Sequence, residues 1–434
     1  MATKANKHIL RTRLIGMNFL QFAVWGAYLT SQGRYLGSVG LGQSIGWFYS
    51  IQGIVSIFMP AIMGIIADKW IQAQKMYGLC HLNAAIFMLA AGLYGLHAGD
   101  QPQLWILFTL YSLSVAFYMP TLALSYSVSY NALERAGMDT VKDFPPIRVF
   151  GTVGFICSMW FVDLMGYMAG PAQYVISAIL GFVLGNYAFS LPPCPVAVGK
   201  EKTSFADALG LDAFKLFKDK QMAIFFIFSL LLGAALQITN SFANPFLGDF
   251  GSVPEYGHTF GVEHSGILIS LSQISETLCI LLIPFCLRRL GIKKVMLIAM
   301  FAWFLRFAFF GLGNPGDRVW LFVLSMIVYG VAFGFFNISG SLFVDQNTSS
   351  SMRSSAQGLF MLMTNGIGAA VGTLAAQAVI NALVNVHPAE TQAVERMAGW
   401  QASWYVFAAY ALIVAVLFAI LFKYKHNPQN SSNK

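Results

Sequence analysis

Apolar stretches of twenty or more residues recur along the whole chain, and they constrain its fold more than any other feature. A helix needs about 20 predominantly apolar residues to cross the hydrocarbon core of a bilayer. Charged residues make up only 10% of the 434 residues, whereas soluble domains carry about 25%. Because such a small number of charges cannot cover a water-exposed surface, we predict an all-α membrane protein whose outer face contacts lipid.

Twelve stretches have the length and composition of a membrane-spanning helix. They lie near residues 14–36, 44–67, 76–97, 103–131, 146–168, 172–191, 222–247, 264–288, 293–313, 318–345, 354–382 and 400–423. The long charged interruption at 192–221 begins with three prolines and continues with five lysines. We therefore predict a six-helix bundle over 1–191, a cytoplasmic linker over 192–221 and a second six-helix bundle over 222–434. A short amphipathic helix is expected within 203–219.

The basic residues are distributed unevenly between the loops. Of 26 Lys and Arg, 21 fall in the termini and the even-numbered loops, while Arg34, Arg318 and Arg396 fall on the opposite side. The remaining two, Arg148 and Arg306, lie within or beside predicted spans. The positive-inside rule then predicts that both termini are cytoplasmic. The net charge of +8 therefore indicates contact with anionic lipid and not with nucleic acid.

Motifs for catalysis or for metal binding are not found in the sequence. The five cysteines have no CxxC or Cys/His ligand spacing, and most fall in apolar runs. The loops contain no nucleophile–base pair and no phosphate-binding loop, and the basic N-terminus precedes an apolar stretch too long for a signal peptide. We predict a protein that is not an enzyme and needs no metal or cofactor.

A loop signature accompanies the six-plus-six layout. The segment Gly64-Ile-Ile-Ala-Asp68-Lys69, between spans two and three, resembles the loop motif of the major facilitator superfamily. Gly64 is expected to allow close helix approach, and Asp68 to bond a neighbouring helix end. In that fold two helical bundles rock about a substrate site near the midplane, and members usually act as monomers.

An acidic side chain within span eight is the strongest indication of function. Glu276 lies about midway along the span, and Gln273 shares its helix face because the two are three residues apart. A charge at the bilayer centre costs about 2.5–3.5 kcal/mol, so such residues usually face a cavity. The alternative is a structural carboxylate paired with a basic residue on another helix.

Span five begins with a basic residue followed by polar and aromatic partners on one face. Arg148 and Thr152 are four residues apart, and Phe155 follows three residues later. We expect Pro145 and Pro146 to define the start of this helix. These side chains suit a heterocycle carbonyl, a hydroxyl and a ring face, and the alternative for Arg148 is a cytoplasmic gate.

Spans seven and ten carry further candidates. Gln237 and Asn240 are an amide pair at i, i+3, which serves either as a substrate contact or as glue between helices. Tyr329 and Phe333 are four apart and suited to stacking on a flat ring, although such stripes are more often simple packing.

Other polar residues within spans have more open assignments. Arg306 needs a partner, for which Asp345 and Glu276 are the candidates. Three residues of span one are further candidates for lining the cavity: Asn18, Gln21 and Trp25. The histidines are expected near span ends, so a mid-membrane histidine relay has little support.

Several polar strings resemble the nucleoside:proton symporters of the major facilitator superfamily. They are Asp143-Phe-Pro-Pro-Ile-Arg148, Leu209-Gly-Leu-Asp-Ala-Phe214, Leu236-Gln-Ile-Thr-Asn240, Ser272-Gln-Ile-Ser-Glu276 and Phe336-Asn-Ile-Ser-Gly340. The resemblance implies proton-driven uptake of purine and pyrimidine nucleosides across the bacterial inner membrane. It also implies that the substrate contacts are Arg148, Thr152, Phe155, Gln237, Asn240, Gln273, Glu276, Tyr329 and Phe333.

One position departs from the family pattern. Gly334 stands in span ten where relatives carry an acidic residue implicated in transport. Three explanations remain open: Glu276 carries the coupled proton, Asp345 does so, or the protein is an uncoupled facilitator. A transporter of another sugar-like solute is a further alternative. Gly330 and Gly334 form a GxxxG pair, so close helix packing is a plausible use of the glycine.

Overall fold

The computed structural model describes residues 4–194, 211–349 and 352–424, and in these ranges the regular structure is helical. The first half contains α1 (Lys4–Gly26), α2 (Gln32–Ser38), α3 (Ile45–Lys69), α4 (Ala73–Ala98), α5 (Leu104–Arg135), α6 (Thr140–Leu164) and α7 (Ala172–Ala188). The second half contains α8 (Lys220–Asp249), α9 (Ser265–Leu312), α10 (Val319–Asn347), α11 (Arg353–Met361), α12 (Ala369–Leu383) and α13 (Ala393–Leu421).

Shorter elements connect these helices. One helical turn covers Phe260–Glu263, and 3₁₀ helices cover Gly42–Ser44, Leu211–Lys218 and Phe250–Ser252. A π-helical stretch, Leu362–Gly368, joins α11 directly to α12. The amphipathic helix predicted within 203–219 lies partly outside the described residues, which resume at residue 211.

The prediction of twelve spans is confirmed. Nine described helices are long and apolar enough to cross a bilayer. α9 has 48 residues, and Gly291 divides it into two arms with a φ of +75°, a conformation that glycine adopts without steric cost. The two arms counted separately, together with α7 and the α1–α2 pair, complete the twelve.

Two helix boundaries differ from the prediction. The first span is not one helix, because α1 ends at Gly26 and a turn precedes α2. α6 begins at Thr140, so Pro145 and Pro146 lie inside the helix and do not start it. The preceding polar residues extend α6 by about a turn and a half beyond the apolar run. Hydropathy alone could not locate this start of the helix.

The chain divides into two compact units. The first comprises Met1–Gly42 and Ile54–Leu209, and the second comprises Gln43–Gly53 and Gly210–Lys434. In the first unit, a core of buried aliphatic and aromatic side chains, among them Leu14, Tyr77 and Leu133, joins α1 to α4 and α5.

The core of the second unit is unusually aromatic. The ring of Phe246 on α8 lies 5.4–5.9 Å from the rings of Phe310, Phe322, Trp400 and Trp404. These contacts join α8 to α9, α10 and α13, and edge-to-face aromatic pairs of this kind contribute about 0.5–1.5 kcal/mol beyond their buried area. They hold together the helices that carry the second-half candidates.

Candidate functional site

The three candidates of the first unit lie along one face of α6. Arg148 is partly buried; its Nε donates a hydrogen bond to the hydroxyl of Tyr126 (3.0 Å), and its guanidinium lies 3.9 Å from the ring centroid of Phe22. Thr152 is partly buried. Phe155 is largely buried, with its ring edge-on to Trp25 at 6.4 Å. In this arrangement a tyrosine and a phenylalanine hold the Arg148 guanidinium.

A very close crossing of α1 and α6 fixes this face. A Cβ at Gly154 would lie 2.8 Å from the carbonyl carbon of Phe19, a distance that real Cβ atoms do not tolerate. Gly154 lies between Thr152 and Phe155, so the contact sets the height of both candidates along α1. Glycine at the crossing therefore serves to position the site face.

A buried polar network in the same unit includes two residues of α1, Gln21 and Asn18. Gln21 is fully buried; its Nε2 donates to the Thr121 hydroxyl, while its Oε1 accepts from Tyr77 (2.6 Å) and contacts His81 Nε2 (2.8 Å). Asn18 is also buried and donates to the Leu14 carbonyl. The bonds of Gln21 join α1, α4 and α5, so this side chain has a structural role in the unit.

His81 lies three residues farther into its helix than the predicted start of the span indicates. It is the ninth residue of α4 and is completely buried. Nε2 faces Gln21, while Nδ1 has no partner among the described residues and borders a small cavity. Hydropathy could not place this residue in depth, because the start of span three was uncertain by several residues.

The amide pair of the second unit forms on α8 as the spacing predicted. Asn240 Nδ2 donates a 2.8 Å hydrogen bond to Gln237 Oε1, and Asn240 is partly buried. Gln237 is 8% exposed. The bond uses one donor and one acceptor of the pair and leaves the other amide groups for further partners.

Gln273 and Glu276 lie together on α9, and both are partly buried. Their helix face is bordered by Thr277, whose hydroxyl donates to the Gln273 carbonyl at 3.1 Å. On the neighbouring face Ser275 packs against α10. The arrangement therefore separates a packed serine face from a carboxylate–amide face.

Tyr329 and Phe333 stack on each other on α10. Their rings are parallel to within 4°, with centroids 5.6 Å apart. Trp303, which sequence analysis missed, meets Tyr329 edge-on at 5.9 Å. Its position three residues before Arg306 on α9 was the available signal, since i, i+3 residues share a face. The three rings form a continuous aromatic wall.

Arg306 is buried against this wall and not against either predicted carboxylate. It is 2% exposed; Nη1 donates to the Ser325 carbonyl at 2.7 Å, and the guanidinium lies 4.6 Å from the Tyr329 centroid. Asp345 pairs with Arg353 at 2.7 Å. The described partners of Arg306 are therefore a carbonyl, a hydroxyl, a thioether and two rings.

The two glycines of the GxxxG pair differ in their surroundings. A Cβ at Gly330 would lie 2.5 Å from the carbonyl carbon of Ser275, so α9 and α10 touch there. A Cβ at Gly334 would meet only side-chain carbons of Ile283 (3.7 Å) and Ile280 (3.9 Å). Close packing thus explains Gly330 but not Gly334.

The loop motif near residue 64 needs a similar correction. A Cβ at Gly64 would meet no atom of the described chain within 4 Å, so close approach is not what this glycine provides there. The substrate-contact candidates form two local groups. One lies on a face of α6 in the first unit, and the other lies on faces of α8, α9 and α10 in the second unit.

Comparisons with known proteins agree on one family. A sequence model described as "Nucleoside H+ symporter" matches residues 9–427. The chain is 48% identical to the xanthosine permease of Escherichia coli over 426 residues, which are 97% of this chain and 98% of that protein. It is 47% identical to the nucleoside permease NupG of Escherichia coli over 421 residues, 96% of this chain and 97% of that protein.

Solved structures agree with the sequence comparisons. The crystal structure of the nucleoside transporter NupG superposes with a TM-score of 0.86 at 46% identity and covers 96% of this chain and 100% of that one. The structure of an aspartate-to-alanine variant of the same transporter gives a TM-score of 0.89 at 46% identity, with 95% and 100% coverage.

Proposed function

Because this chain belongs to the nucleoside H+ symporter family, we propose that it carries purine and pyrimidine nucleosides across the bacterial inner membrane together with protons. Transport proceeds by alternating access, as is general for this fold. The observation that carries the proposal is the combination within one unit of a carboxylate–amide face on α9 and a stacked aromatic pair on α10.

The chemistry of these groups matches the two parts of a nucleoside. The Glu276 carboxylate and the Gln273 amide oxygen accept hydrogen bonds from ribose hydroxyls, and the Gln237 amide nitrogen donates to a ribose oxygen. Tyr329 and Phe333 offer flat faces to the base. Asn240 completes the second-half set.

From the first half we propose Arg148, Thr152 and Phe155 as substrate contacts. The guanidinium donates to a base carbonyl, the hydroxyl is a donor or an acceptor, and the Phe155 ring offers an apolar edge. Arg148 then exchanges its bond with Tyr126 for one with the substrate.

Glu276 is the proposed proton carrier. It is the acidic residue on the candidate face of α9, and a carboxylate that alternates between protonated and ionised forms links proton and solute binding. An uncoupled facilitator is the second candidate, and Gly334 in place of the family acid is the observation that favours it.

We further propose that the protein works as a monomer surrounded by lipid, with both termini cytoplasmic. The uneven loop charge supports this orientation. The loop motif Gly64, Asp68 and Lys69 would then face the cytoplasm, where we assign it a gating role.

Uptake of labelled uridine, adenosine and xanthosine into proteoliposomes tests the function. We expect saturable uptake that an inward proton gradient drives above equilibrium and that an uncoupler abolishes. Saturable uptake that is equal with and without the gradient would establish a facilitator. Failure of every nucleoside to accumulate or exchange would refute the proposal. Saturable uptake of labelled sucrose in its place would identify a transporter of another sugar-like solute.

A further inference from the structure

A cavity in the second unit adjoins the aromatic wall but involves none of the proposed polar contacts. Its lining includes three rings and three polar side chains: Trp303, Phe333, Phe336, Asn337, Thr364 and Asn365. All of these come from α9, α10 and the π-helical stretch, and none is charged. The cavity of about 20 Å³ has room for only one or two waters by itself, but Phe333 is shared with the proposed site, so the polar groups of the cavity border the space that a base would enter.

Asn337 is oriented toward this space by its own helix. It lies four residues after Phe333 and eight after Tyr329, so the three share one face of α10. Its Nδ2 donates a 3.0 Å hydrogen bond to the Phe333 carbonyl, and the side chain is only partly buried. That bond fixes the carboxamide and leaves its oxygen, together with the second N–H, for a ligand.

Asn365 is held by an unusual backbone. It lies in the π-helical stretch Leu362–Gly368, and such insertions are often found at functional sites. The stretch packs directly on α8, because a Cβ at Gly233 would lie 2.7 Å from the carbonyl carbon of Thr364. The amide of Asn365 meets only the Met361 sulfur at 3.7 Å, a weak partner.

We propose that Asn337 and Asn365 recognise the hydrogen-bonding edge of the nucleobase, an inference that rests on the proposed nucleoside transport. A carboxamide presents a donor beside an acceptor, and this pattern matches the adjacent donor and acceptor on the edge of a base. Phe333 covers a face of the ring, and Trp303, whose ring is roughly perpendicular to those of Tyr329 and Phe333, contacts its edge. Since the cavity lining carries no charge, it suits neutral bases of either class, and the two asparagines determine which of them bind well.

Base selectivity in asparagine variants tests the inference. Asn337→Ala and Asn365→Ala are compared with Asn186→Ala, an exposed residue of α7 whose Nδ2 makes the same bond to the carbonyl four residues earlier, at 2.8 Å. Competition with labelled uridine is measured for inosine, adenosine, cytidine and a methyl riboside without a base. We expect the cavity variants to change the ratios between bases by roughly tenfold or more, with the methyl riboside unchanged and the control like wild type.

Other outcomes have distinct meanings. Unchanged ratios, or an equal loss for every competitor including the methyl riboside, would overturn the inference while leaving nucleoside transport intact. A wild-type protein that transports no nucleoside would remove the proposed function and this inference together. If an alanine variant aggregates on size exclusion, the isosteric Asn337→Asp and Asn365→Asp variants are measured by the same competition and judged by the same outcomes.

Discussion

Replacing each glycine of the GxxxG pair by alanine gives a matched test of the α9–α10 contact. Both glycines lie on α10, so each replacement brings a similar gain of about 1 kcal/mol in helix propensity. Only the new methyl group at 330 meets backbone, 2.5 Å from the Ser275 carbonyl carbon, whereas at 334 the nearest atom is 3.7 Å away. The helices must separate by about 1 Å at residue 330, and overpacking of this kind costs about 1–3 kcal/mol.

The difference between the two variants isolates that cost. We expect Gly330→Ala to melt on the order of 2–6 °C below Gly334→Ala in the same detergent, measured by intrinsic fluorescence. Uptake should also fall in Gly330→Ala, because Ser275 precedes Glu276 and the displacement moves the carboxylate. Equal melting temperatures, or lower stability of Gly334→Ala, would show that the predicted contact between α9 and α10 is wrong.

Three further substitutions test the second-unit site. Glu276→Gln should remain monodisperse on size exclusion but raise the KM for uridine by about 10–150-fold, since a hydrogen bond to a charged group contributes about 1.5–3 kcal/mol; wild-type uptake would mean that the carboxylate is structural. Arg306→Met should leave the melting temperature unchanged or higher. Loss of about 1–2 kcal/mol of cation–π attraction on Tyr329 should weaken nucleoside binding roughly 5–30-fold. Unchanged nucleoside affinity by isothermal titration would show that Arg306 does not contribute to the site. Gly334→Asp should steepen the dependence of uptake on external pH, and an unaltered pH profile would exclude position 334 from coupling.

The features that could be predicted from the sequence are those for which lipid allows few alternatives. Every polar residue in an apolar span is conspicuous because burial without a partner is costly. This is why Glu276 and Arg306 could be selected at once. The proximity of Gln237 and Asn240 followed from helical spacing alone, since residues three apart on a helix are neighbours, and the structure adds the hydrogen bond between them.

Properties that depend on a neighbouring helix could not be predicted. The sequence does not show that Gln21 bonds to residues 77, 81 and 121 on two other helices. The GxxxG spacing was equally compatible with both glycines packing or with one alone. The π-helical stretch has no signal in composition, because it arises where α11 and α12 must fit against α8.

The surroundings of Gly334 narrow the question of proton coupling. Of the two alternative acids, Asp345 is already paired with Arg353, and its side chain is 36% exposed near the end of α10, a poor place for a proton that must cross the bilayer. Close helix packing does not account for Gly334, so the missing acid was not exchanged for a structural contact. Glu276 therefore stays the proposed carrier of the coupled proton. Substrate binding and proton binding then compete for or share one carboxylate. Uptake driven by the proton gradient should therefore be present in the wild type and absent in Glu276→Gln, even at nucleoside concentrations that saturate the variant.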